Sequence, residues 1–370
     1  MKISTKSAFL IFHRWSGIIA GLLVVLIGIT GSLLIFEDEL DIAFNVGLYT
    51  VVPAGERRPL DQIITSAEEQ DTNGQAFFVS RIDDSAERAF VVTLLQQNGD
   101  EKQVFVDPYT ALVTGERSSL SSMALIRRLH GDLTLGAVGE NTLGILALLL
   151  MAMLLAGLLV WLPRGGNLRK ALSVRWDGGS RYLLRDLHNT GGVYLFFFLF
   201  LSALTVPPIV WKMTTPTTGP PARSTAQPPG ASSAPPILSD SPVLTETESP
   251  PTTIPWQQAA DAALAAVPNT WLGFILRPVG PQPFYLIRVF PPSVNTVSEQ
   301  TTVFVNRYNG SIIRVSAPAA PTLTSLLSAD FAASLHSGAI AGLPGRIIMF
   351  LAGLFFPVLF VTGFILWWRK

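Results

Sequence analysis

Four histidines, His13, His130, His188 and His336, stand in a chain that has no cysteine. With six methionines they are the only nitrogen or soft ligands on offer to a metal. The missing thiol excludes disulfides, iron–sulfur clusters, thiolate-ligated haem, the covalent attachment of c-type haem and a cysteine nucleophile within this chain. Each histidine lies just ahead of a long apolar stretch: His13 before residues 15–36, His130 before 141–163, His188 before 189–211 and His336 before 347–368. Two imidazoles cannot close a four-coordinate zinc site unaided. Asp132 and Asp186 lie beside His130 and His188, but His13 and His336 have no matching acid. A haem needs only two axial ligands from facing helices, so two histidine pairs suit two haems. Gly17 and Gly21 after His13, and Gly191 and Gly192 after His188, leave room for a flat macrocycle, and ordinary small-residue helix packing explains them equally well. Arg14, Arg127, Arg128, Arg185 and Arg346 are candidates for the haem propionates, Arg127 and Arg128 being the most informative. No catalytic side chain is singled out.

The elements that must position these residues follow from the apolar pattern. Charged residues make up 14% of the chain and hydrophobic ones 49%, with a mean hydropathy of +0.41. A soluble domain carries roughly 25% charged residues. The four stretches lack Asp, Glu, Lys and Arg over about 22 residues each, which spans a bilayer. A cleaved signal peptide fits the first poorly, because its apolar run is too long and no small-residue cleavage site follows. Lys2, Lys6 and Arg14 precede span one. Arg164, Arg169, Lys170, Arg175, Arg181 and Arg185 crowd the loop between spans two and three, and Arg369 and Lys370 end the chain. The positive-inside rule places all three regions in the cytoplasm and the two long segments outside, in a bacterial periplasm, with the chain in the inner membrane. No span interior carries a charge, which argues against an ion-coupled permease. The net charge of +0 gives no reason to expect nucleic acid as a partner.

Three stretches recur in the same order. "FHRWSGIIAGLLVVLIGITGSLLIF" resembles "LHNTGGVYLFFFLFLSALTVPPIVW", "QVFVDPYTALVTG" resembles "TVFVNRYNGSIIR", and "LHGDLTLGAVG…AGLLVWLPR" resembles "LHSGAIAGLPG…TGFILWWRK". Each half reads as span, outside domain, span, so the halves are expected to be parallel tandem repeats. His13 then matches His188 on the cytoplasmic side and His130 matches His336 on the periplasmic side. Each outside domain opens with a helix, over 60–69 and 256–267. Short strands follow over 77–82, 89–95 and 103–106 in the first, and 284–290 and 301–305 in the second. The expected fold is a membrane protein built on a four-transmembrane-helix bundle from two parallel repeats, each with a small α+β periplasmic domain. The parts are helix 1 (8–36), domain 1 (37–129), an approach and helix 2 (130–163), a cytoplasmic loop (164–187), helix 3 (188–212), a Pro-rich linker (213–255), domain 2 (256–335), and an approach and helix 4 (336–368). About ten residues separate each outer histidine from its charge-free span, and Gly131, Gly136 and Gly139 in one half and Gly342, Pro344 and Gly345 in the other are expected to break the helix and shorten that rise. The outer pair is therefore expected at or just above the membrane surface, capped by the two domains, and the inner pair at the cytoplasmic edge.

"FHRWSGIIAGLLVVLIGITGSLLIFEDEL", "VFVDPYTALVTG" and "LHGDLTLGAVG…GLLVWLPRGG" together resemble the PepSY-associated transmembrane family. Length and histidine placement are most similar to its FoxB-type inner-membrane ferric-siderophore reductases. That resemblance implies PepSY-like outside domains and two b-type haems, one near each membrane face, on His13, His188, His130 and His336. It also implies reduction of siderophore-bound Fe(III) in the periplasm. No motif specifies the siderophore, and a hydroxamate such as ferrioxamine is one candidate. The chain has no glycine-rich dinucleotide motif after a strand, and its cytoplasmic loop is too short for a flavin domain. The electron must come from a separate donor, a quinol or a cytoplasmic reductant. The rival reading is a non-enzymatic regulator or sensor whose outside domains inhibit a protease.

Overall fold

The computed structural model describes residues 5–80, 82, 85–118, 121–162, 168–177, 179–211, 252–277, 282–292, 300–317 and 328–369. The expected Pro-rich linker, save residues 252–255, lies outside the described residues, as does Arg164. In chain order the elements are α1 (Thr5–Ile35), α2 (Glu37–Phe44), α3 (Val46–Tyr49), α4 (Leu60–Gln70), β1 (Gly74–Ser80), β2 (Phe90–Gln96), β3 (Glu101–Val106), β4 (Val113–Ser118), α5 (Ser122–Asp132), α6 (Ala137–Trp161), α7 (Leu168–Ala171) and α8 (Ser180–Val210). After them come α9 (Trp256–Ala266), β5 (Trp271–Leu276), β6 (Phe284–Phe290), β7 (Thr301–Asn306), β8 (Ile312–Ser316), α10 (Ala329–His336), α11 (Gly342–Leu354) and α12 (Phe356–Trp368). They divide into two compact units, a helical one and a sheet-bearing one.

In the helical unit, α1, α6, α8 and the α11–α12 pair are long and apolar enough to cross a membrane. They pack as a ring in which α1 and α8 both contact α6 and both contact α11 and α12. The last crossing breaks at Phe355, where Pro357 follows in the first turn of α12. A proline nitrogen cannot donate to the preceding turn, and its ring crowds the carbonyl four residues back. Glycines set the closest approaches. A Cβ on Gly28 would meet the Gly353 carbonyl oxygen at 2.8 Å, and one on Gly353 would meet Ser32 Oγ at 2.3 Å. Small residues let these helix backbones touch, as membrane packing requires. Two short helices, α5 packed on α1 and α10 packed on α8, complete the unit.

The other unit is one eight-stranded antiparallel sheet in the order β4-β3-β2-β1-β5-β6-β7-β8. The strands of the two expected small domains share this one sheet through β1 and β5, where Val79 pairs with Ile275. Both joining strands are apolar, and an uncovered edge of that kind would template aggregation. Strands β4, β5 and β8 were not foreseen. One face carries α4 and α9, whose Ile63, Ile64, Ala67, Ala259, Ala260 and Ala263 bury against Val79, Val92, Val104, Ile275, Ile287 and Val303. The alternation of buried and half-buried residues along β7 is the two-residue period of a strand covered on one face. The two helices cap each other. Asp61 accepts from the backbone N–H groups of Trp256 (2.8 Å) and Gln257 (3.1 Å), and the Gln257 side chain accepts from Leu60 N–H at 3.0 Å. Over the first half of the other face, Arg117 on β4 makes a two-pronged ion pair with Asp41 on α2 at 2.6 and 2.8 Å, and Tyr49 donates to the same carboxylate.

Candidate functional site

The structure brings the four histidines together in the two pairs expected. His13 on α1 and His188 on α8 have ring centroids 6.0 Å apart with planes at 76°. His130 on α5 and His336 on α10 are 6.1 Å apart at 55°. Two metal–imidazole bonds of about 2 Å, with each ring centroid about 1.1 Å further back, would separate two axial rings by about 6 Å. All four residues are half-buried among the bundle helices.

Each ring is aimed by the same kind of bond. Nδ1 lies 2.9 Å from the Met153 carbonyl oxygen in His13, 3.0 Å from Leu359 in His188, 3.0 Å from Ile27 in His130 and 3.1 Å from Ser202 in His336. A carbonyl can only accept, so Nδ1 carries the proton and Nε2 keeps the lone pair that binds a metal. Such a partner fixes both the tautomer and the ring's orientation. Three rings also meet a hydroxyl at Nδ1: Thr362 at 3.1 Å from His188, Thr30 at 3.3 Å from His130 and Thr205 at 3.0 Å from His336. Three rings rest on a glycine. A Cβ would come within 2.8 Å of His13 at Gly157, 2.9 Å of His188 at Gly363 and 2.5 Å of His130 at Gly31.

These contacts went unnoticed in the sequence, although they carry a signal. The Thr-Gly of "ITGSLL" and of "TGFILWW" and the Ala-Gly of "AGLLVW" recur inside three of the four spans. Gly21 and Gly191, near His13 and His188 in the sequence, do other work. A Cβ on Gly21 would strike the Phe360 ring at 2.4 Å and one on Gly191 the Phe355 ring at 2.6 Å, so both serve helix packing.

The His130–His336 pair packs alongside the apolar stretches of α1 and α8 rather than beyond their ends. His130 is level with residues 27–31 of α1 and His336 with residues 202–205 of α8. The first level is four to eight residues, or roughly 6–12 Å, inside the helix end at Ile35, and the second five to eight residues, or roughly 8–12 Å, inside the end at Val210. The ten-residue stretch does not rise as a straight helix. It turns at Leu133, Thr134 and Gly136, all with positive φ, and in the second half at Gly338 and Gly342. Along α1, His13 and the level of residues 27–30 are 14–17 residues apart, or about 21–26 Å.

Each site therefore offers two imidazoles. Asp186 is taken by Arg175 at 2.6 and 2.8 Å, and the Asp132 carboxylate accepts from Thr134 N–H at 2.7 Å. Among the described residues no group of three or more His, Asp or Glu side chains could hold a bare metal ion. Two opposed imidazoles with their second nitrogens tied back fit the axial ligands of a haem. The arginines are less uniform. Arg127 forms an ion pair with Glu37, and Arg128 is exposed on α5. Arg346 donates from Nε to the Ile35 carbonyl at 3.2 Å and lies over the Phe36 ring. Arg14 is half-buried and Arg185 exposed.

Among curated proteins none matches the chain. The family described as the PepSY-associated TM region matches residues 10–370, which takes in all four apolar crossings and the sheet unit alike; the protein belongs to that family.

Proposed function

We propose that the protein is a di-haem b electron carrier of the bacterial inner membrane. In this reading it passes electrons across the bilayer to Fe(III) bound by a siderophore in the periplasm and releases Fe(II). The observation that carries the reading is the pair of His–His sites, with centroids 6.0 and 6.1 Å apart and every Nδ1 committed to a backbone carbonyl. The b-type haems would supply a one-electron couple at each site. His13 and His188 would hold one and His130 and His336 the other, and the carbonyls of Met153, Leu359, Ile27 and Ser202 keep the four rings in the ligating tautomer.

A cytoplasmic location for the His13 end is supported by the arginine-rich 164–187 loop, Lys6, Arg14 and Arg369. The parallel tandem-repeat reading is supported by the sheet order, in which four strands of each half run outward from the β1–β5 join. It is also supported by the histidines, since each pair takes one ring from each half. Ferric iron is a hard ion held by oxygen donors such as hydroxamates, and adding one electron gives a softer ion that they hold weakly. Each Fe(III) consumes one electron, so a quinol donor would serve two irons and release two protons.

The test begins with the purified, detergent-solubilised protein. Its optical spectrum should show a Soret band that shifts with dithionite, and pyridine haemochrome should give close to two haems per chain. The reduced protein, mixed anaerobically with a ferric hydroxamate siderophore, should reoxidise while a chelator captures Fe(II). A folded protein with no haem band would return the chain to the regulator reading. A haem protein that no ferric siderophore reoxidises would carry electrons to another acceptor.

A further inference from the structure

The four histidine cradles share a register, and they depart from it in an orderly way. The carbonyl that binds Nδ1 belongs to residue i of the facing helix, the hydroxyl to i+3 and the glycine to i+4. Ile27, Thr30 and Gly31 serve His130, and Leu359, Thr362 and Gly363 serve His188. At His13 the positions are Met153, Ala156 and Gly157, so the hydroxyl is missing. At His336 they are Ser202, Thr205 and Val206, so the hydroxyl is kept and the glycine is replaced. Both rings of the His130–His336 pair thus meet a threonine hydroxyl, and only one ring of the His13–His188 pair does.

The direction of these bonds follows from where the threonine protons go. Thr30 donates to the Leu26 carbonyl at 2.8 Å, Thr362 to Val358 at 2.6 Å, and Thr205 to Ser202 at 2.8 Å. A hydroxyl whose proton is spent on its own helix has only lone pairs left for a third group. It therefore accepts from Nδ1–H, alongside the carbonyl. A proton shared by two acceptors is drawn further from Nδ1, which raises the basicity of Nε2 as a ligand. On a haem iron, a more basic axial nitrogen favours the oxidised state, and hydrogen bonding behind the ligand is one of the protein's levers on potential.

Resting on the di-haem reading, we propose that Thr30, Thr205 and Thr362 are positioning residues that lower the midpoint potential of the haem station their histidine serves. Ala156 is the one cradle position where this pull is absent. The potentials of the two stations are thereby set separately, by side chains that touch the histidines.

Spectroelectrochemical titration of the full-length protein tests this without any turnover. Haem content is measured first; a folded wild type without haem removes the di-haem reading and this proposal together. With two haems present, Thr30→Val and Thr205→Val should each raise the midpoint potential of the His130–His336 station and leave the other unmoved. Thr362→Val should do the reverse. Thr30→Ser, which keeps the hydroxyl, should return the wild-type value. Should a valine variant lose its haem, Ala156→Ser decides the matter. It adds the missing acceptor behind His13 and should lower the potential of the His13–His188 station alone. Unchanged potentials in Ala156→Ser and in the haem-retaining valine variants, or equal shifts at both stations, would overturn the proposal while leaving the di-haem reading intact.

Discussion

Gly31→Ala tests the His130–His336 site with a single methyl group. Its Cβ would sit 2.5 Å from Cε1 of His130, 3.1 Å from Nδ1 and 3.3 Å from Nε2. Carbon atoms settle at about 3.5–4.0 Å, so the ring must retreat by about 1 Å. Nδ1 now lies 3.0 Å from the Ile27 carbonyl, and such a retreat takes it to about 4 Å, beyond a hydrogen bond. The lost bond costs about 1 kcal/mol, and crowding a packed interior about 1–3 kcal/mol. The ring also loses the partner that fixes its tautomer, a change worth about 10–100-fold in metal affinity. On the di-haem reading, folded Gly31→Ala protein should hold one haem instead of two by pyridine haemochrome, with a lowered thermal midpoint. Gly131→Ala is the control. That glycine neighbours His130 in sequence, yet a Cβ there meets nothing within 4 Å. It should retain both haems. If Gly31→Ala also keeps two haems, with an unaltered spectrum and melting temperature, the cradle does not hold the ring and the reasoning fails.

Further expectations concern both units. His13→Ala should remove only the haem at the His13–His188 pair and His336→Ala only the other; loss of both haems from a folded single variant would contradict separate sites. Asp61→Ala strips two caps from the start of α9 and should destabilise the sheet unit by about 1–2 kcal/mol in chemical denaturation. Arg117→Ala leaves the Asp41 carboxylate, only 7% exposed, without its cation and should cost about 3 kcal/mol, against a small change for a double replacement by apolar residues. The Asp71 carboxyl is held below the usual carboxylate range first by the Gln96 amide and then by Lys102. Its folded pKa is depressed, so its contribution is present above the unfolded value and disappears as pH falls through the folded one. Asp71→Asn should therefore flatten the acid limb of the stability profile and leave the neutral limb lower by a constant amount.

The spans were legible because a bilayer demands long uncharged runs, and the histidines because four in a chain of this length fall at matching span starts. Their ends were less so. α1 begins at Thr5 and α8 at Ser180, both ahead of the charge-free stretch, because Lys6, Arg14, Arg181 and Arg185 are good helix formers whatever the solvent. Helices α2, α3, α5, α7 and α10 have no counterpart in the sequence pattern. Their α5 and α10 register is set by tertiary contact with α1 and α8. Strand β5 reads "WLGFIL", with no polar alternation, since it is an inner strand of the sheet; β4 reads "VTGERS", with little apolar content, since it is an edge. The level at which His130 and His336 pack follows from the backbone turns between each of them and its span. Gly136 and Gly342, expected from the sequence to break the helix, adopt positive φ, while Leu133 and Thr134 do so without being glycine and carry no such signal.

The bonds that aim the rings and the contacts that bring them together belong to different parts of the bundle. His13 bonds α6 and His130 bonds α1, all within the N-terminal half; His188 bonds α12 and His336 bonds α8, all within the C-terminal half. Ring meets ring only across the halves. That distance is set by packing: Ser32 donates to the Phe350 carbonyl at 2.9 Å, Gly28 lies against Gly353, Gly21 sits beneath Phe360 and Gly144 beneath Trp211. Tautomer and aim are thus fixed locally, before the two halves need to meet, and the meeting supplies only the spacing. A flat cofactor held between such rings would find both ligands already oriented, so little rotamer freedom remains to be lost on binding. The same division explains why 6.0 Å at one end and 6.1 Å at the other coexist with different ring angles, 76° and 55°. Interhelical packing controls the separation, and each half's own carbonyl, joined by a hydroxyl at every ring but His13, controls the tilt.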